Sequence, residues 1–205
     1  MSDGASVMHM NFCPRCGRRL ALTRLERKER PCCLESEGGC GFVDYGRYTM
    51  GVGGVIVSHD DGERRILLIQ RNQEPNRGGW TLPGGFVEYD EPAEVSVVRE
   101  IAEETGLHCE VIGLLGFRSR VDNDTNTSYA IFGLRVLGGE LVATPTDEIA
   151  AVKFFSLSAL DALTRLAPLS RAVAVMALTR EPALWQATTI PSPIANRPSF
   201  NLFMG

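Results

Sequence analysis

The amino-acid sequence predicts an α/β or α+β sandwich preceded by a small cysteine-rich segment. Three observations carry this reading. Apolar, β-branched runs recur along the middle of the chain and read as strands. One helix-period stretch, residues 91–105, is inserted early among them, and further helical stretches follow late. The repeated βαβ alternation of a doubly wound sheet is missing. The chain has 205 residues with 44% hydrophobic and 22% charged content, which suits an ordinary globular protein with one substantial domain and a small appendage. The division expected is 1–46, 47–180 and 181–205.

In the first segment, five of the six cysteines lie between Cys13 and Cys40, among seven Lys and Arg and few large apolar residues. Such a segment cannot bury much of a core by itself. "MGVGGVIVS" (50–58) and "RRILLIQR" (64–71) read as adjacent strands joined through the turn cluster "HDDGE". "NQEPNRGG" (72–79) is a polar loop. "WTLPGGFVE" (80–88) begins as a strand and turns at Pro83-Gly84-Gly85. In the helix 91–105, Pro92 suits the first turn, acids gather near the start and Gly106 suits the exit. "CEVIGLLGFRSRV" (109–121), "TSYAIFGLRVL" (127–137) and "IAAVKFFSL" (149–157) are further strands. Residues 158–163 and 169–180 look helical. The tail 181–205 carries Pro182, Pro191, Pro193 and Pro198 and shows no period.

The net charge of −4 gives no general reason to expect nucleic acid as a partner. No apolar run approaches the roughly 18–20 residues that span a membrane. The N-terminus lacks the apolar core of a signal peptide, so the cytoplasm is the expected compartment. Disulfides are then not expected, and the clustered cysteines need another explanation.

Residues 84–107 contain seven carboxylates. With about 100° per residue, Glu100, Glu103 and Glu104 share an arc of about 100°. Val97, Ile101, Val98, Ala102 and Val95 occupy the neighbouring face and should pack on a sheet. Like charges spaced i,i+4 destabilise a helix, and only Arg99 compensates within the stretch. A hard divalent cation, which prefers oxygen ligands, would remove the repulsion. The alternative is a solvated acidic face.

The spacing favours the cation. Gly85, Glu91, Arg99, Glu100, Ile101, Glu103, Glu104, Gly106 and Leu107 match G-x5-E-x7-R-E-U-x-E-E-x-G-U, where U is bulky and apolar. This stretch resembles the signature box of the Nudix hydrolase family, and the resemblance covers roughly residues 48–180. It implies a mixed β-sheet sandwiched between helices. It also implies hydrolysis of a nucleoside diphosphate linked to another moiety, with Mg²⁺ or Mn²⁺ as cofactor. Carried onto this chain, Glu100 and Glu104 are metal ligands, and Glu103 is a further ligand or the general base. The Gly84 carbonyl completes the shell, Arg99 orients the carboxylates, and Glu91 ties the loop to the helix, with Gly85 and Gly106 structural. Glu148, just before a strand, is the second candidate base, with a plain loop acid as its alternative.

"CPRC" (13–16), "CC" (32–33) and "CGF" (40–42) resemble the zinc ribbon that precedes some Nudix domains. Zinc takes four N or S ligands tetrahedrally and supplies folding energy to small segments. The set chosen is Cys13, Cys16, Cys33 and Cys40, with Cys32 open as a substitute for Cys33. Cys109 reads as a core residue. His9, His59 and His108 show no ligand spacing. The basic residues of the segment suit a solvated surface.

The resemblance extends to NADH pyrophosphatases, which carry S-Q-P-W-P-F-P-x-S after the box. Here that region reads "LLGFRSRVDNDTNTSYA", so the first choice of substrate is an ADP-containing dinucleotide or sugar of the ADP-ribose or FAD type. NADH or NAD-capped RNA, and a non-catalytic ligand sensor, are the alternatives. Family members are often dimers, which leaves a homodimer open.

Overall fold

A computed structural model describes residues 10–60, 62–122, 125–142, 145–181, 183–190 and 200–204. The chain divides into two compact units. One contains residues 1–49 together with 119–127, the other residues 50–118 and 128–205.

In the first unit, β1 (Ala21–Leu25) pairs antiparallel with β2 (Lys28–Cys32) in a five-residue register. A single 3-10 turn, Glu35–Glu37, follows. The hairpin exposes Leu22 and buries Cys32 and Cys33. The buried apolar side chains of this part are largely cysteines, so its packing is held at one point rather than by a broad core.

The second unit is the expected layered structure. β3 (Arg47–Val55) and β4 (Val57–Asp60) replace the single strand expected over 50–58. The break at Ile56 sends the chain from one sheet to the other. β3 joins β7 (Leu107–Asp122) and β8 (Thr125–Gly139) in the order β3-β8-β7, whereas β4 pairs antiparallel with β5 (Glu63–Arg71). β5 also pairs antiparallel with β6 (Trp80–Thr81) and β9 (Ile149–Ser156). The helices are α1 (Ala93–Thr105), the single turn α2 (Leu157–Leu160) and α3 (Pro168–Thr179).

Side chains alternate between two cores. Val52, Leu67, Ala130, Phe132 and Leu134 meet Val97 and Ile101 of α1. Val55, Ile66, Leu68 and Ile131 meet Val173, Ala174, Ala177 and Leu178 of α3. Strands buried on both faces read as continuous apolar runs, which explains why "ILLI" (66–69) is wholly inaccessible to solvent. Helices therefore cover both sides of the strands, as the sequence predicts. Ser170 of α3 accepts a 3.0 Å bond from the Leu82 N–H and shares another of 3.0 Å with Thr81, fixing the end of β6 to α3. Cys109 is buried in the α1 core as expected.

Three readings change. Val95, placed on the apolar face of α1, is half exposed, and Ser96 is buried in its stead beneath the loop before the helix. The helix starts at Ala93 with Pro92 as its N-cap, which leaves Glu91 outside it. The tail is more regular than its composition suggests. β10 (Gln186–Ile190) pairs antiparallel with β11 (Phe200–Met204). Phe203 meets Phe132 edge-on at 5.5 Å, and Trp185 exchanges two 2.9 Å backbone bonds with Leu114. Pro182, Pro191, Pro193, Pro198 and His9 lie outside the described residues. Among the described residues, no helix is long and apolar enough to cross a membrane.

Ile101 is fully buried between α1 and the sheet. Ile101→Ala is expected to destabilise the protein by about 3 kcal/mol through lost burial and a residual cavity, read as a lower urea midpoint with an unchanged slope.

Candidate functional site

The loop Pro83–Val87 is stitched to β3 by alternate groups. Gly54 N–H donates to the Pro83 carbonyl at 2.9 Å, Val52 N–H to Gly85 at 2.8 Å, and Val87 N–H to Met50 at 2.9 Å. The Gly84 carbonyl, between two that face β3, receives no hydrogen bond from the described residues. Gly84 has φ 141°, and a Cβ there would stand 2.1 Å from the Val52 carbonyl oxygen. Only glycine fits so close a backbone approach. A Cβ on Gly85 would stand 2.5 Å from the Glu100 carboxylate, so that glycine opens the space which Glu100 enters.

α1 delivers the carboxylates. Glu104 accepts a 2.6 Å hydrogen bond from the Gly84 N–H. Arg99 spreads over the cluster. It donates to Glu91 at 2.6 and 3.2 Å, to Glu100 at 3.0 Å and to Glu103 at 3.1 Å. Its Nη2 also reaches Ser96 Oγ at 3.2 Å, and that hydroxyl donates to the Phe86 carbonyl at 3.2 Å. The end of α1 is closed by Gly106 in the left-handed region, its N–H bonded to Ala102.

The electrostatics separate these acids by role. The Arg99 guanidinium holds Glu91 down at about 2. Burial pushes Glu104 up to about 8 against the Gly84 hydrogen bond and the charge of Arg71, with Glu100 and Glu148 adding to the rise. Burial also raises Glu100 despite Arg99, and Glu103 and Glu148 raise it further. At Glu91 the Arg99 pair thus outweighs burial. At Glu100 and Glu104 burial outweighs Arg99, Arg71 and the Gly84 N–H, which is the environment a hard cation relieves. The donor set is all oxygen: Glu100, Glu103, Glu104 and the free Gly84 carbonyl could hold Mg²⁺ or Mn²⁺.

Glu148 comes within electrostatic reach of Glu100 and Glu104 across the fold. Its backbone is pinned, the carbonyl accepting from Asn72 N–H at 2.7 Å and the N–H meeting Thr146 Oγ1 at 3.3 Å. A cleft of about 140 Å³ adjoins Glu104 and is lined by Pro145, Thr146, Ile149 and Val152. The sequence reading missed Arg71, whose charge acts on Glu104, and Tyr129, whose phenol is raised by burial and by Glu104 and Glu100. No linear spacing links them to the box. The only early signal was the glycines of "GVGG", since glycine inside a strand marks a close approach.

In the cysteine unit, Cys13, Cys16, Cys33 and Cys40 place their sulfurs within 4.8 Å of one another. Cys13 and Cys40 are 3.5 Å apart, as are Cys16 and Cys33. Cys32, the open alternative, turns its thiol to the Arg30 carbonyl at 3.3 Å. The Cys40 N–H donates to Cys33 Sγ at 3.4 Å, a bond suited to a ligating sulfur. Burial opposes ionisation of Cys13, but bonds from the Arg15 and Cys16 backbones and from neighbouring thiols bring it down to about 7. Cys33 has the Cys40 backbone bond in its favour, yet burial and the other thiols push it up to about 12. Four thiols in one place cannot all ionise without a cation, and the chemistry of this set fits zinc.

A family model described as NUDIX domain matches residues 47–175. A relative named ADP-ribose pyrophosphatase, from Methanocaldococcus jannaschii, is 43% identical over 117 residues, which cover 56% of this chain and 66% of that one. A putative nudix hydrolase from Caenorhabditis elegans is 33% identical over 126 residues, covering 61% of this chain but 34% of its own length. The chain therefore spans between about a third and two thirds of these curated relatives. The crystal structure of a MutT NUDIX hydrolase from Burkholderia pseudomallei is similar at 33% identity and a TM-score of 0.54, covering 65% of this chain and 99% of that one.

Glu91 has a depressed folded-state value, so its ion pair stabilises the protein above the ordinary carboxylate range. That stability is lost as pH falls through about 2. Glu91→Gln is expected to lower Tm at pH 7, with the gap to the unsubstituted protein closing between about pH 4.5 and 2 in thermal melts.

Proposed function

The chain belongs to the Nudix family, and on that premise we propose that it is a pyrophosphohydrolase. Its substrate is a nucleoside diphosphate linked to another moiety, of the ADP-ribose or FAD type. The observation that carries this reading is the pair of carboxylates Glu100 and Glu104, where burial outweighs the partners that favour their charge, beside the Gly84 carbonyl, which receives no hydrogen bond from the described residues. The name of the Methanocaldococcus relative supports the substrate class.

Glu100, Glu104, Glu103 and the Gly84 carbonyl would hold Mg²⁺ or Mn²⁺. Once bound, the cation neutralises phosphate charge and acidifies water. The protein's own groups then do the positioning. Arg99 keeps Glu100 and Glu103 in one orientation through bonds of 3.0 and 3.1 Å. The Gly84 N–H sets the Glu104 rotamer at 2.6 Å. Glu91 neutralises Arg99 from the loop side and so ties loop to helix. Glu103 is more exposed than Glu100 or Glu91 and is a candidate to take a proton from the attacking water, as is Glu148. Cys13, Cys16, Cys33 and Cys40 hold a structural zinc that organises the first unit.

A screen of ADP-ribose, FAD and NADH with Mg²⁺ tests the function. ADP-ribose or FAD is expected to turn over fastest, releasing AMP; tight binding of a compound without its cleavage would support the sensor alternative. Glu104→Gln is expected to reduce turnover by at least about 100-fold. Because the folded-state value of Glu104 is raised, its charge destabilises the metal-free fold as pH rises through about 8. The same variant is therefore expected to melt higher than the unsubstituted protein at pH 8–9 without added Mg²⁺, and equally below about pH 4.5. Metal analysis of the purified protein is expected to find about one zinc per chain, lost with the fold of the first unit in Cys33→Ser and retained in Cys32→Ser.

A further inference from the structure

A second cleft, of about 450 Å³, opens where the end of α3 meets β7 and the start of the tail. Its lining includes Leu115 and Gly116 of β7, Met176 and Arg180 from the end of α3, and Glu181 and Trp185 beyond it. None of the carboxylates Glu100, Glu103, Glu104 and Glu148 lines it. Leu115 and Met176 pack on the core that α3 covers, whereas Val97 and Ile101 of α1 belong to the other. The volume lies within the roughly 300–1,000 Å³ that small-molecule sites occupy.

The charges of the lining do not cancel. Glu181 is paired with Arg64, which also donates to the Ala177 carbonyl at 2.8 Å. Arg180 follows the last residue of α3 in extended backbone. Among the described residues its guanidinium has neither a hydrogen-bond acceptor nor an ion-pair partner. One acid is thus neutralised by an arginine outside the lining, and one arginine within it is uncommitted. A guanidinium in that condition supplies forked donors to a phosphate or carboxylate.

The rest of the lining suits a planar ring. Trp185 is 51% exposed, yet its backbone is fixed by two 2.9 Å bonds to Leu114. An indole held this way offers a flat apolar face with little side-chain freedom to lose. Met176 adds a thioether, which packs well against aromatic rings. A Cβ at Gly116 would meet only Ile131, at 3.9 Å, so β7 leaves space there. Stacking on tryptophan accepts any nucleobase, because every base has a π-face. A simple aromatic acid would leave most of the cleft empty, and a dinucleotide would bring more phosphate charge than one arginine matches.

We propose that this cleft binds a nucleoside monophosphate, with the base against Trp185 and the phosphate on Arg180. Such a compound is also what the hydrolysis proposed above releases; only that link rests on the hydrolase reading. The test is calorimetric titration of the full chain with AMP, without added Mg²⁺ or Mn²⁺, and with adenosine and benzoate as comparisons. AMP is expected to bind and to quench Trp185 emission, followed in Trp80→Phe, where Trp185 is the one remaining tryptophan. Arg180→Gln is expected to weaken AMP by roughly 10- to 100-fold and to leave adenosine unchanged. Arg180 is exposed, so Tm is expected to stay the same. Glu104→Gln is expected to leave AMP affinity intact. Unchanged AMP affinity in Arg180→Gln overturns the proposal. Loss of AMP binding in Glu104→Gln also overturns it, since AMP then sits at the acidic cluster. Benzoate binding as tightly as AMP overturns the nucleotide assignment. A dimer that Trp185→Leu converts to monomer in sedimentation gives the cleft to a second copy of the chain and overturns it as well. If the unsubstituted protein cleaves no ADP-ribose, the substrate reading falls and the AMP titration still decides this site.

Discussion

The site depends on one guanidinium. Arg99 meets Glu91 in the loop, Glu100 and Glu103 on its own helix, and through Ser96 the carbonyl of Phe86. Without it, the acids of α1 would repel one another and the preceding loop would lose its anchor. A bidentate pair to Glu91 adds geometric precision that a single ammonium could not, because the planar fork fixes both partners at once. The arginine therefore solves a folding problem, while at Glu104 and Glu100 burial still outweighs the cations nearby.

That residual imbalance is where stability and function oppose each other. Glu104 is raised to about 8 by burial beside Glu100 and Glu148. A fold optimised only for stability would replace such a group with an amide. Its retention makes sense if a divalent cation is the missing partner. Perturbed carboxylates in a cleft are the ordinary signature of such a site. The cysteine unit follows the same logic with sulfur in place of oxygen: four thiols are held together at a density that favours their ionisation only when a metal is present.

Close backbone approach is the second constraint, and it is met with glycine. Gly84 nests against Val52 and Gly53, Gly85 makes room for Glu100, and Gly51 and Gly53 make room for Tyr129. These contacts bring three separate stretches, 50–54, 83–87 and 100–104, to one place. A side chain at any of these glycines would separate the loop from the strand or the carboxylate from the loop.

Much of this was legible in the sequence because it is local. The acids of α1, the arginine among them, the Gly106 exit and the alternating strand runs all follow from side-chain periodicity within a few turns of chain. The resemblance to the Nudix box already implied that Glu91 ties loop to helix, and the structure shows Arg99 as its partner. What the sequence left open was whatever depends on orientation across the fold. Cys32 and Cys33 are adjacent and chemically identical, and only the pairing of the β1–β2 hairpin turns one toward the cluster and the other toward the Arg30 carbonyl. Val95 satisfied the helical period yet lies exposed, because the loop covers Ser96 instead. The tail showed no period because its strands are short and paired with each other. Tyr129 stands outside the box in sequence, and only the pairing of β8 with β3 lays its ring on Gly51 and Gly53. Periodicity determines which face of an element is apolar or acidic; strand order and hairpin register determine which of those faces meet.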